Sequence, residues 1–575
     1  MIRLSELRLA LAHAATPEPA LREAAAAKLQ LAPAAIAQLS VFKRSFDARK
    51  ADLLAVYIVD LALADPGAAA TLLAQFAADP HVQPTPDMRW RPPVAPRADV
   101  GGERPVVVGF GPCGLFAALV LAQLGLKPIV LERGKPVRER TQDTWGLWRR
   151  GELNPESNVQ FGEGGAGLFS DGKLYSQIRD PRHLGRKVME EFVAAGAPEE
   201  ILWVAHPHVG TFKLVKVVEN LRAQIIALGG EIRFQQRVTD VLLNDEQPTP
   251  ALQGLRVENL ATGESYELPA QHAVLALGHS ARDSFAMLHR RGVAMAAKPF
   301  SIGVRIEHPQ SLIDRARWGR HAGHPLLGAA EYKLVHHATQ GEGRGRTVYS
   351  FCMCPGGTVV AATSEPGRVV TNGMSQYSRN ERNANAGLVV GIEPADFPRD
   401  AATFEAELGH AHGVDALPAS QAHPLGGIVL QRQLETGAYR LGGGGFRAPA
   451  QRVGDFLAQR ASTAVGEVEP SYQPGVHWTD LHPALPAWAT AAMREALPAF
   501  ARKIKGYDLP DAVMTGLETR TSSPLQMSRG DDMQSLGLRG LYPAGEGAGY
   551  AGGILSAGID GIKVGEAVAQ RVLGC

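Results

Sequence analysis

Residues that could bind a phosphate-containing cofactor come early in the chain, in a glycine-rich turn with the spacing Gly109-x-Gly111-x-x-Gly114. A hydrophobic run at 105–108 leads into the turn, and an apolar stretch that predicts a helix follows it. Such a turn lets the backbone approach a pyrophosphate, and the free N–H groups of the helix N-terminus bind the phosphates. Glu132 lies 18 residues after Gly114, where an acid can accept hydrogen bonds from an adenosine ribose. The order of these features predicts a dinucleotide-binding fold, but not which dinucleotide.

A second glycine-rich turn, Gly-Glu-Gly-Ala-Gly at 545–549, lies near the C-terminus. A short strand is predicted before it at 541–544, and a helix of small residues is predicted to begin near Ile554. The positive end of such a helix can stabilise negative charge on a bound group. The chain thus leaves a nucleotide fold and later returns to complete it, which predicts an inserted domain between the two turns.

A third glycine-rich stretch, FGEGGAGLFSDGKL at 161–174, completes a set of motifs that resembles a bacterial family of uncharacterised FAD-dependent dehydrogenases. This family belongs to the glutathione-reductase-like class of flavoproteins, and the resemblance extends over nearly the whole chain. It implies FAD held non-covalently, with 161–174 along the ribityl chain and the flavin face. It also implies that the backbone of Val238 holds the adenine. Glu546, where the wider class has aspartate, is expected to contact the ribityl chain.

The residues predicted to bind this cofactor come from all of these segments and from a strand and turn at 273–285. In that last segment, His279, Ser280 and Asp283 are expected near the adenine and diphosphate half. The full predicted set is Gly109, Gly111, Pro112, Gly114, Glu132, Arg133, Gly162, Gly164, Gly165, Ala166, Ser170, Asp171, Gly172, Lys173, Val238, Ala276, Gly278, His279, Ser280, Asp283, Gly545, Glu546, Gly547, Ala548, Gly549, Gly553 and Ile554.

Four residues are candidates for the chemistry itself. Cys352 and Cys354 are predicted on one strand, where residues i and i+2 face the same side. They are either a thiol pair that exchanges electrons with the flavin or two small residues packed below a turn. Arg520 is either a clamp for an anion near the ring or the partner of a structural carboxylate. Lys173 is the fourth candidate, and no metal site is predicted.

The expected function is that of an FAD-dependent oxidoreductase, a dehydrogenase or reductase that passes hydride between a small organic substrate and flavin N5. No second complete dinucleotide fingerprint is present, so NAD(P)H is expected at most as a transiently bound electron donor. Two alternatives stay open. One is a flavin-dependent monooxygenase, and the other is a flavoprotein with a largely structural FAD whose N-terminal domain binds a protein or RNA partner. The sequence identifies neither the substrate nor the electron partner.

Bulk composition narrows the partners and the compartment. The 59 Lys and Arg nearly balance the 58 Asp and Glu, so a net charge of +1 gives no general electrostatic case for nucleic acid, an anionic membrane or a polyanionic substrate. Four cysteines without a framework spacing fit a reducing compartment. The N-terminus lacks the apolar core of a signal peptide, and the apolar stretch at 110–131 is interpreted as a buried nucleotide-fold helix. A cytoplasmic protein is expected.

The elements that must position these residues predict an α/β fold: a Rossmann-type FAD-binding domain with an inserted antiparallel-sheet substrate domain and a small N-terminal α/β domain. The proline-rich segment PTPDMRWRPPVAPR supports the first boundary. In the N-terminal domain, strands are predicted at 2–11 and 51–63 and a helix at 20–39. The predicted domains are 1–82, a linker at 83–103, the FAD-binding domain at 104–297 and 511–575, and the inserted domain at 298–510.

Overall fold

The computed structural model describes residues 1–49, 52–97, 102–244, 246, 248–418 and 420–574. They form a mixed α/β structure whose larger sheets have four, five and seven strands. Residues 98–101 of the predicted linker, and the first residue of the strand predicted at 51–63, lie outside the described residues.

The N-terminal unit comprises β1 (Ile2–Ala10), α1 (Glu18–Leu29), β2 (Ile36–Asp47), β3 (Leu54–Leu63), α2 (Ala68–Gln75) and β4 (Val82–Pro84). Its strands form an antiparallel sheet of order β2-β3-β1-β4, the split β-α-β arrangement. The helix predicted at 20–39 is wrong beyond residue 29. Gln30 ends α1 in the left-handed conformation, and Pro33 cannot donate a helical hydrogen bond. Residues 36–47 instead pair with β3, which stabilises them as a strand.

The next part of the chain begins the nucleotide-binding fold. Its elements are β5 (Val106–Val108), α3 (Pro112–Gln123), β6 (Ile129–Glu132), α4 (Val137–Arg150), α5 (Leu184–Ala194), α6 (Thr211–Ala227), β7 (Glu231–Phe234), β8 (Gln236–Asn244), β9 (Ala251–Asn259), β10 (Ser265–Pro269), β11 (Ala273–Leu275) and α7 (Arg282–Arg290). Strands β5, β6 and β11 are buried along their length, as expected for parallel strands covered on both faces. The apolar stretch at 110–131 is the helix α3 followed by β6, within this fold.

The part of the chain after residue 294 changes to a larger sheet that is antiparallel except for the parallel pair β19 and β20. It contains β12 (Met295–Ala297), β13 (Phe300–Pro309), α8 (Gln310–Trp318), β14 (Val335–His337), β15 (Thr347–Cys354), β16 (Gly357–Ala361), β17 (Thr371–Ser375), β18 (Asn383–Ile392), α9 (Ala401–Leu408), α10 (Gly426–Leu441), β19 (Ala448–Arg452), α11 (Val453–Leu457), β20 (Val476–Trp478), α12 (Ala487–Ala501) and β21 (Val513–Glu518). The seven-stranded sheet has the order β14-β15-β18-β13-β21-β19-β20. Strand β21 hydrogen-bonds to β13, so this sheet extends past the predicted domain boundary at 510.

The C-terminal segment returns to the nucleotide-binding fold with β22 (Leu525–Met527), β23 (Leu541–Pro543) and α13 (Ile554–Leu573). Strand β23 pairs with β11 and completes a parallel sheet of order β23-β11-β5-β6-β7. Helix α13 packs along α3. In the part of the chain that the structure describes, no helix is long and apolar enough to cross a membrane.

Candidate functional site

Both glycine-rich turns border one cavity of about 660 Å³, a size usual for ligand and cofactor sites. Residues 109–113 of the first turn line it, and so do 552–554 at the start of α13. We call the backbone-rich side the glycine wall, formed by residues 109–112, 165–167 and 276–279. We call the opposite side, which the seven-stranded sheet and its neighbours contribute, the sheet wall, formed by Tyr349, Phe351, Cys352, Asn372 and Glu518.

The first turn is shaped by a close contact between strand and helix. A Cβ atom at Gly114 would lie 1.9 Å from the carbonyl oxygen of Gly109, so a larger residue would force α3 away from β5. Gly111 is the N-cap of α3, and the nearest atom that a Cβ there would meet is Gly165 Cα at 3.4 Å. Gly111 lines the cavity at the start of the helix, where unpaired N–H groups can bind a pyrophosphate.

Glu132 joins the glycine-rich segments to one another. Its Oε2 accepts a hydrogen bond from the N–H of Phe110 at 2.8 Å. Its Oε1 accepts from the N–H groups of Gly134 at 2.8 Å and Gly162 at 3.0 Å. Glu132 also lines the cavity, where a contact with the ribose was predicted. Its observed hydrogen bonds, however, are structural: they fix the first turn against the start of 161–174.

The second glycine-rich turn packs directly against the first. A Cβ atom at Gly545 would lie 2.8 Å from Cβ of Cys113, and one at Gly547 would lie 2.5 Å from the carbonyl oxygen of Gly278. The N–H of Gly545 donates to Asp560 of α13 at 2.7 Å. Two turns that are far apart in the sequence are thus held side by side, and the positive end of α13 borders the same cavity.

Most of the predicted cofactor-binding residues line the cavity: Gly109, Gly111, Pro112, Glu132, Arg133, Gly162, Gly165, Ala166, Ser170, Asp171, Lys173, Val238, Ala276, Gly278, His279, Ser280, Glu546, Gly553 and Ile554. The remaining predicted residues are not part of this lining: Gly114, Gly164, Gly172, Asp283, Gly545, Gly547, Ala548 and Gly549. Asp283 accepts two hydrogen bonds from the guanidinium of Arg133, at 2.9 and 3.1 Å. It therefore orients a lining arginine.

Asp171 and Lys173 are both engaged with other parts of the protein. The Asp171 carboxylate accepts from Arg379 Nε at 2.9 Å and from a second guanidinium nitrogen of the same residue. Lys173 Nζ donates to the carbonyl oxygen of Met353 and lies 3.5 Å from Glu331 Oε2. Lys173 thus connects the 161–174 stretch to the sheet wall and places a positive charge between them.

The guanidinium of Arg520 is largely satisfied by the protein. It donates to both carboxylate oxygens of Glu435, at 3.0 and 2.9 Å, and to the hydroxyls of Ser280 at 3.1 Å and Ser364 at 2.8 Å. Of the two interpretations of Arg520, the structure shows the pairing with a structural carboxylate. Ser280, which was expected near the diphosphate half of the cofactor, therefore contacts Arg520, which was expected near the flavin ring.

Glu435 is shared by two buried arginines. Arg282 donates to its carboxylate at 2.6 and 2.9 Å, and all three side chains are almost fully buried. Burial alone would raise the pKa of Glu435, but the charges of Arg282 and Arg520 outweigh it and hold the pKa well below its ordinary value. This ionised triad connects the turn after β11 to α10 and to the segment after β21, and so braces the cavity.

Cys352 and Cys354 differ in their access to the cavity. Cys352 lines the cavity, whereas Cys354 is fully buried behind it, with its Sγ 3.4 Å from the carbonyl oxygen of Cys352. A β-bulge causes the difference: the register of β15 against β18 shifts between Phe351 and Cys354, and Cys352 has φ 40°. Both thiols are free.

Most residues of the sheet wall were not predicted from the sequence. Glu518 is buried and lines the cavity, with Oε2 2.8 Å from Nε of Arg305. Burial raises the pKa of Glu518 to about 7, although Arg305 acts in the opposite direction. Tyr349 and Asn372 line the same side. Only the position of Glu518, two residues before Arg520, could have drawn attention to it.

The glycine wall fits a large planar or phosphate-bearing group. A Cβ atom at Gly278 or Gly553 would meet nothing within 4 Å, so the backbone there faces open space. His279 lines this side, and its buried Nε2 has no hydrogen-bond partner among the residues that the structure describes. Burial, with Arg520 and Arg282 nearby, lowers the pKa of His279 to about 3, so its ring is neutral. Glu546 lies across from it, and burial raises the pKa of Glu546 to about 7.

Among residues 1–49, 52–97, 102–244, 246, 248–418 and 420–574, no group of three or more His, Cys, Asp and Glu side chains is placed to hold a metal ion.

Comparison with known proteins gives one extensive match. An uncharacterised protein of Clostridium beijerinckii is 43% identical over 545 residues, which cover 95% of this chain and 94% of the relative. Residues 299–521 match a family described as "FAD-dependent protein, C-terminal domain-like", and residues 1–62 match a domain of unknown function.

Similarity to solved structures is weaker. A flavocytochrome c3 fumarate reductase in its open conformation is 12% identical, with a TM-score of 0.33 over 82% of this chain and 78% of that chain. The 3-ketosteroid-delta4-(5alpha)-dehydrogenase of Rhodococcus jostii is 13% identical, with a TM-score of 0.34 over 83% of this chain and 99% of that chain.

Proposed function

The chain belongs to the FAD-dependent oxidoreductase family, and from that premise we propose that it is a dehydrogenase or reductase that transfers hydride between a small organic substrate and flavin N5. One observation carries the proposal. The two glycine-rich turns lie against each other and border a single cavity, whose other side is a wall of polar and ionisable side chains. A cofactor on the glycine wall would therefore face a substrate on the sheet wall.

We assign the ends of the cofactor from the ends of the cavity. The N-terminus of α3 would bind the pyrophosphate, and Glu132 and Val238 would border the adenosine. The 165–173 stretch, Glu546 and the N-terminus of α13 would surround the flavin. When bound, FAD supplies a hydride acceptor or donor at N5. The positive end of α13 would then stabilise negative charge on the reduced ring.

The sheet wall supplies the groups that could bind and orient the substrate. Tyr349, whose hydroxyl lies 2.6 Å from Oγ of Ser301, and Asn372 offer hydrogen bonds. Lys173, which lines the cavity next to the sheet wall, offers a positive charge. Glu518, with its pKa near 7, can hold or release a proton at physiological pH, as a general acid or base requires.

The electron donor is part of the proposal. Since the sequence holds one dinucleotide fingerprint, NAD(P)H would bind only transiently, or the substrate itself would reduce the flavin. Cysteine usage, with no disulfide framework, supports a cytoplasmic location.

The test is anaerobic and uses the full chain reconstituted with FAD. The flavin is photoreduced, and candidate acceptors are screened for re-oxidation; candidate donors, including NADH and NADPH, are screened against the oxidised form. Bleaching or recovery of the flavin absorbance by a small molecule supports the proposal. A hydroxylated product that forms only with oxygen would indicate a monooxygenase instead. A flavin that exchanges electrons with no small molecule would favour a structural FAD.

A further inference from the structure

We propose that Cys352 and Cys354 form a redox-active dithiol that delivers two electrons to the flavin and becomes a disulfide. The proposal rests on the proposed function, because it needs FAD in the cavity. It goes beyond that function by naming a thiol pair as the electron donor to the ring and a thiol compound as the class of substrate that regenerates the pair.

The position of the two thiols separates their roles. Cys352 lines the sheet wall, where it borders the cavity that Glu546 and Ile554 border from the flavin end. Cys354 lies directly behind it, fully buried. One thiol is therefore open to a cofactor or an incoming substrate, and the other is reachable only through the first. Redox pairs have this arrangement, with an attacking sulfur in front and a resolving sulfur behind.

The backbone around the pair is held in an uncommon conformation. Cys352 has φ 40°, in the left-handed region that non-glycine residues adopt only at a cost in free energy. Two cations fix this bulge: Arg305 Nη1 donates to the carbonyl oxygen of Cys352 at 2.8 Å, and Lys173 Nζ donates to that of Met353. Two small residues that merely fill space would need neither the bulge nor the cations.

The two thiols lie close to each other. Cys354 Sγ donates to the carbonyl oxygen of Cys352 at 3.4 Å, and a hydrogen bond between the two thiols shifts the pKa of each. A C-x-C disulfide closes a very short loop, so it is strained, and a strained disulfide is readily reduced, as a catalytic one must be.

The charges around the pair favour one ionisation pattern. The hydrogen bond from the Cys354 thiol lowers the pKa of Cys352; burial opposes this, and the positive charges of Arg305 and Lys173 add to it, so that its pKa lies below the ordinary value. The same hydrogen bond and burial raise the pKa of Cys354. Cys352 is thus the thiolate and Cys354 keeps its proton.

In the proposed reaction, two electrons pass from the thiol pair to the flavin. The Cys352 thiolate and the Cys354 thiol form one S–S bond and give up two electrons and the proton of Cys354. Oxidised FAD accepts the two electrons and one proton. A thiol compound entering the cavity then attacks the disulfide at Cys352 and forms a mixed disulfide, while the sulfur of Cys354 leaves and takes a proton. A second thiol attacks the substrate sulfur of the mixed disulfide, which releases the Cys352 thiolate, a disulfide of the two substrate thiols and one proton.

The test counts electrons and thiols in the FAD-loaded protein. After anaerobic photoreduction, the protein is titrated with an oxidant, quenched with an alkylating reagent and analysed by mass spectrometry. We expect the wild type to release four electrons per flavin, and the peptide with Cys352 and Cys354 to change from doubly alkylated to a disulfide. Cys113, in the first glycine-rich turn, serves as an internal reference whose alkylation should not change on oxidation.

Two variants make the test specific. Cys352→Gly removes the thiol and suits the left-handed backbone at this position, so the strand should keep its bulge. Cys354→Ser removes only the buried thiol. Each should release two electrons per flavin and form no disulfide. A wild type that releases two electrons, with both cysteines still alkylated after the flavin is oxidised, overturns the thiol proposal but leaves the proposed function intact. A protein that binds no FAD overturns both.

Discussion

The glycine wall and the sheet wall of the cavity are built in opposite ways. The glycine wall presents backbone groups, brought together by contacts so close that Gly114 and Gly547 could not carry a Cβ atom without a clash. The sheet wall presents side chains from β15, β17 and β21, held by buried ion pairs such as Arg305 with Glu518. A backbone surface suits a diphosphate, a group that many cofactors carry. A surface of side chains sets what reacts beside it.

The largest expected effect tests whether the buried triad of Arg282, Glu435 and Arg520 stabilises the fold. In Glu435→Gln, the buried guanidinium groups of Arg282 and Arg520 lose their shared carboxylate, so we expect a loss of about 3–5 kcal/mol in the free energy of unfolding. Urea denaturation at pH 7 measures it. Glu365→Gln, at a more exposed carboxylate that also pairs with Arg282, should cost clearly less. Equal losses would mean that burial of Glu435 does not matter.

The sign of the pH dependence follows from the same triad. The pKa of Glu435 is lowered on folding, so its stabilisation is present above the unfolded-state pKa of about 4.3. It is lost as the pH falls through the lower folded-state pKa. The difference in stability between the wild type and Glu435→Gln should therefore shrink on acidification below pH 4.

A second prediction breaks the glycine wall itself. In Gly114→Ala, the new Cβ atom would lie 1.9 Å from the carbonyl oxygen of Gly109, and the helix must move. We expect a loss of about 3 kcal/mol in the free energy of unfolding even without FAD. Gly111→Ala is the matched control, because its Cβ would meet no protein atom closer than 3.4 Å. If both variants were equally stable as apoproteins, the close strand–helix contact would be contradicted.

A third prediction separates cofactor binding from folding. Gly111→Val should fold, because the Cβ atom at this position makes only an ordinary contact, 3.4 Å from Gly165 Cα. It should weaken FAD binding by about 100-fold, since the side chain occupies space at the N-terminus of α3. Fluorescence quenching of added FAD measures the dissociation constant, and circular dichroism checks the fold. Unchanged affinity would mean that the pyrophosphate lies elsewhere.

The smallest expected effect concerns charge on the sheet wall. Between pH 6 and 8, Glu518 loses its proton, because its pKa lies near 7. A new negative charge near the ring should disfavour flavin reduction by about 1–2 kcal/mol. The flavin potential should therefore fall more steeply with pH in the wild type than in Glu518→Gln. Glu546→Gln, with a similar pKa on the opposite side, gives an independent comparison. If the flavin potential changed equally with pH in all three proteins, neither Glu518 nor Glu546 would titrate close to the flavin.

The difference between the walls also explains what the sequence could predict. The first turn, α3 and Glu132 follow one another within a single unit of the fold, so their spacing alone indicates how they meet. Tyr349 and Glu518 lie on β15 and β21, which meet only through the pairing of β18 with β15 and of β13 with β18 and β21. Asn372 lies on β17 of a separate two-stranded sheet, where its Oδ1 accepts a hydrogen bond from Arg305 of β13 at 3.0 Å. The difference in burial between Cys352 and Cys354 could not be predicted for a related reason, since a β-bulge is not visible in the pattern of residue types.

The most direct test of the account is a crystal structure of the chain determined after incubation with FAD. We predict one FAD, with its diphosphate within hydrogen-bond distance of backbone N–H groups at the N-terminus of α3. Its ring should lie between the 165–173 stretch and the start of α13, facing Cys352. A dinucleotide bound away from these turns, or a cavity that stays empty at saturating FAD, would contradict the account.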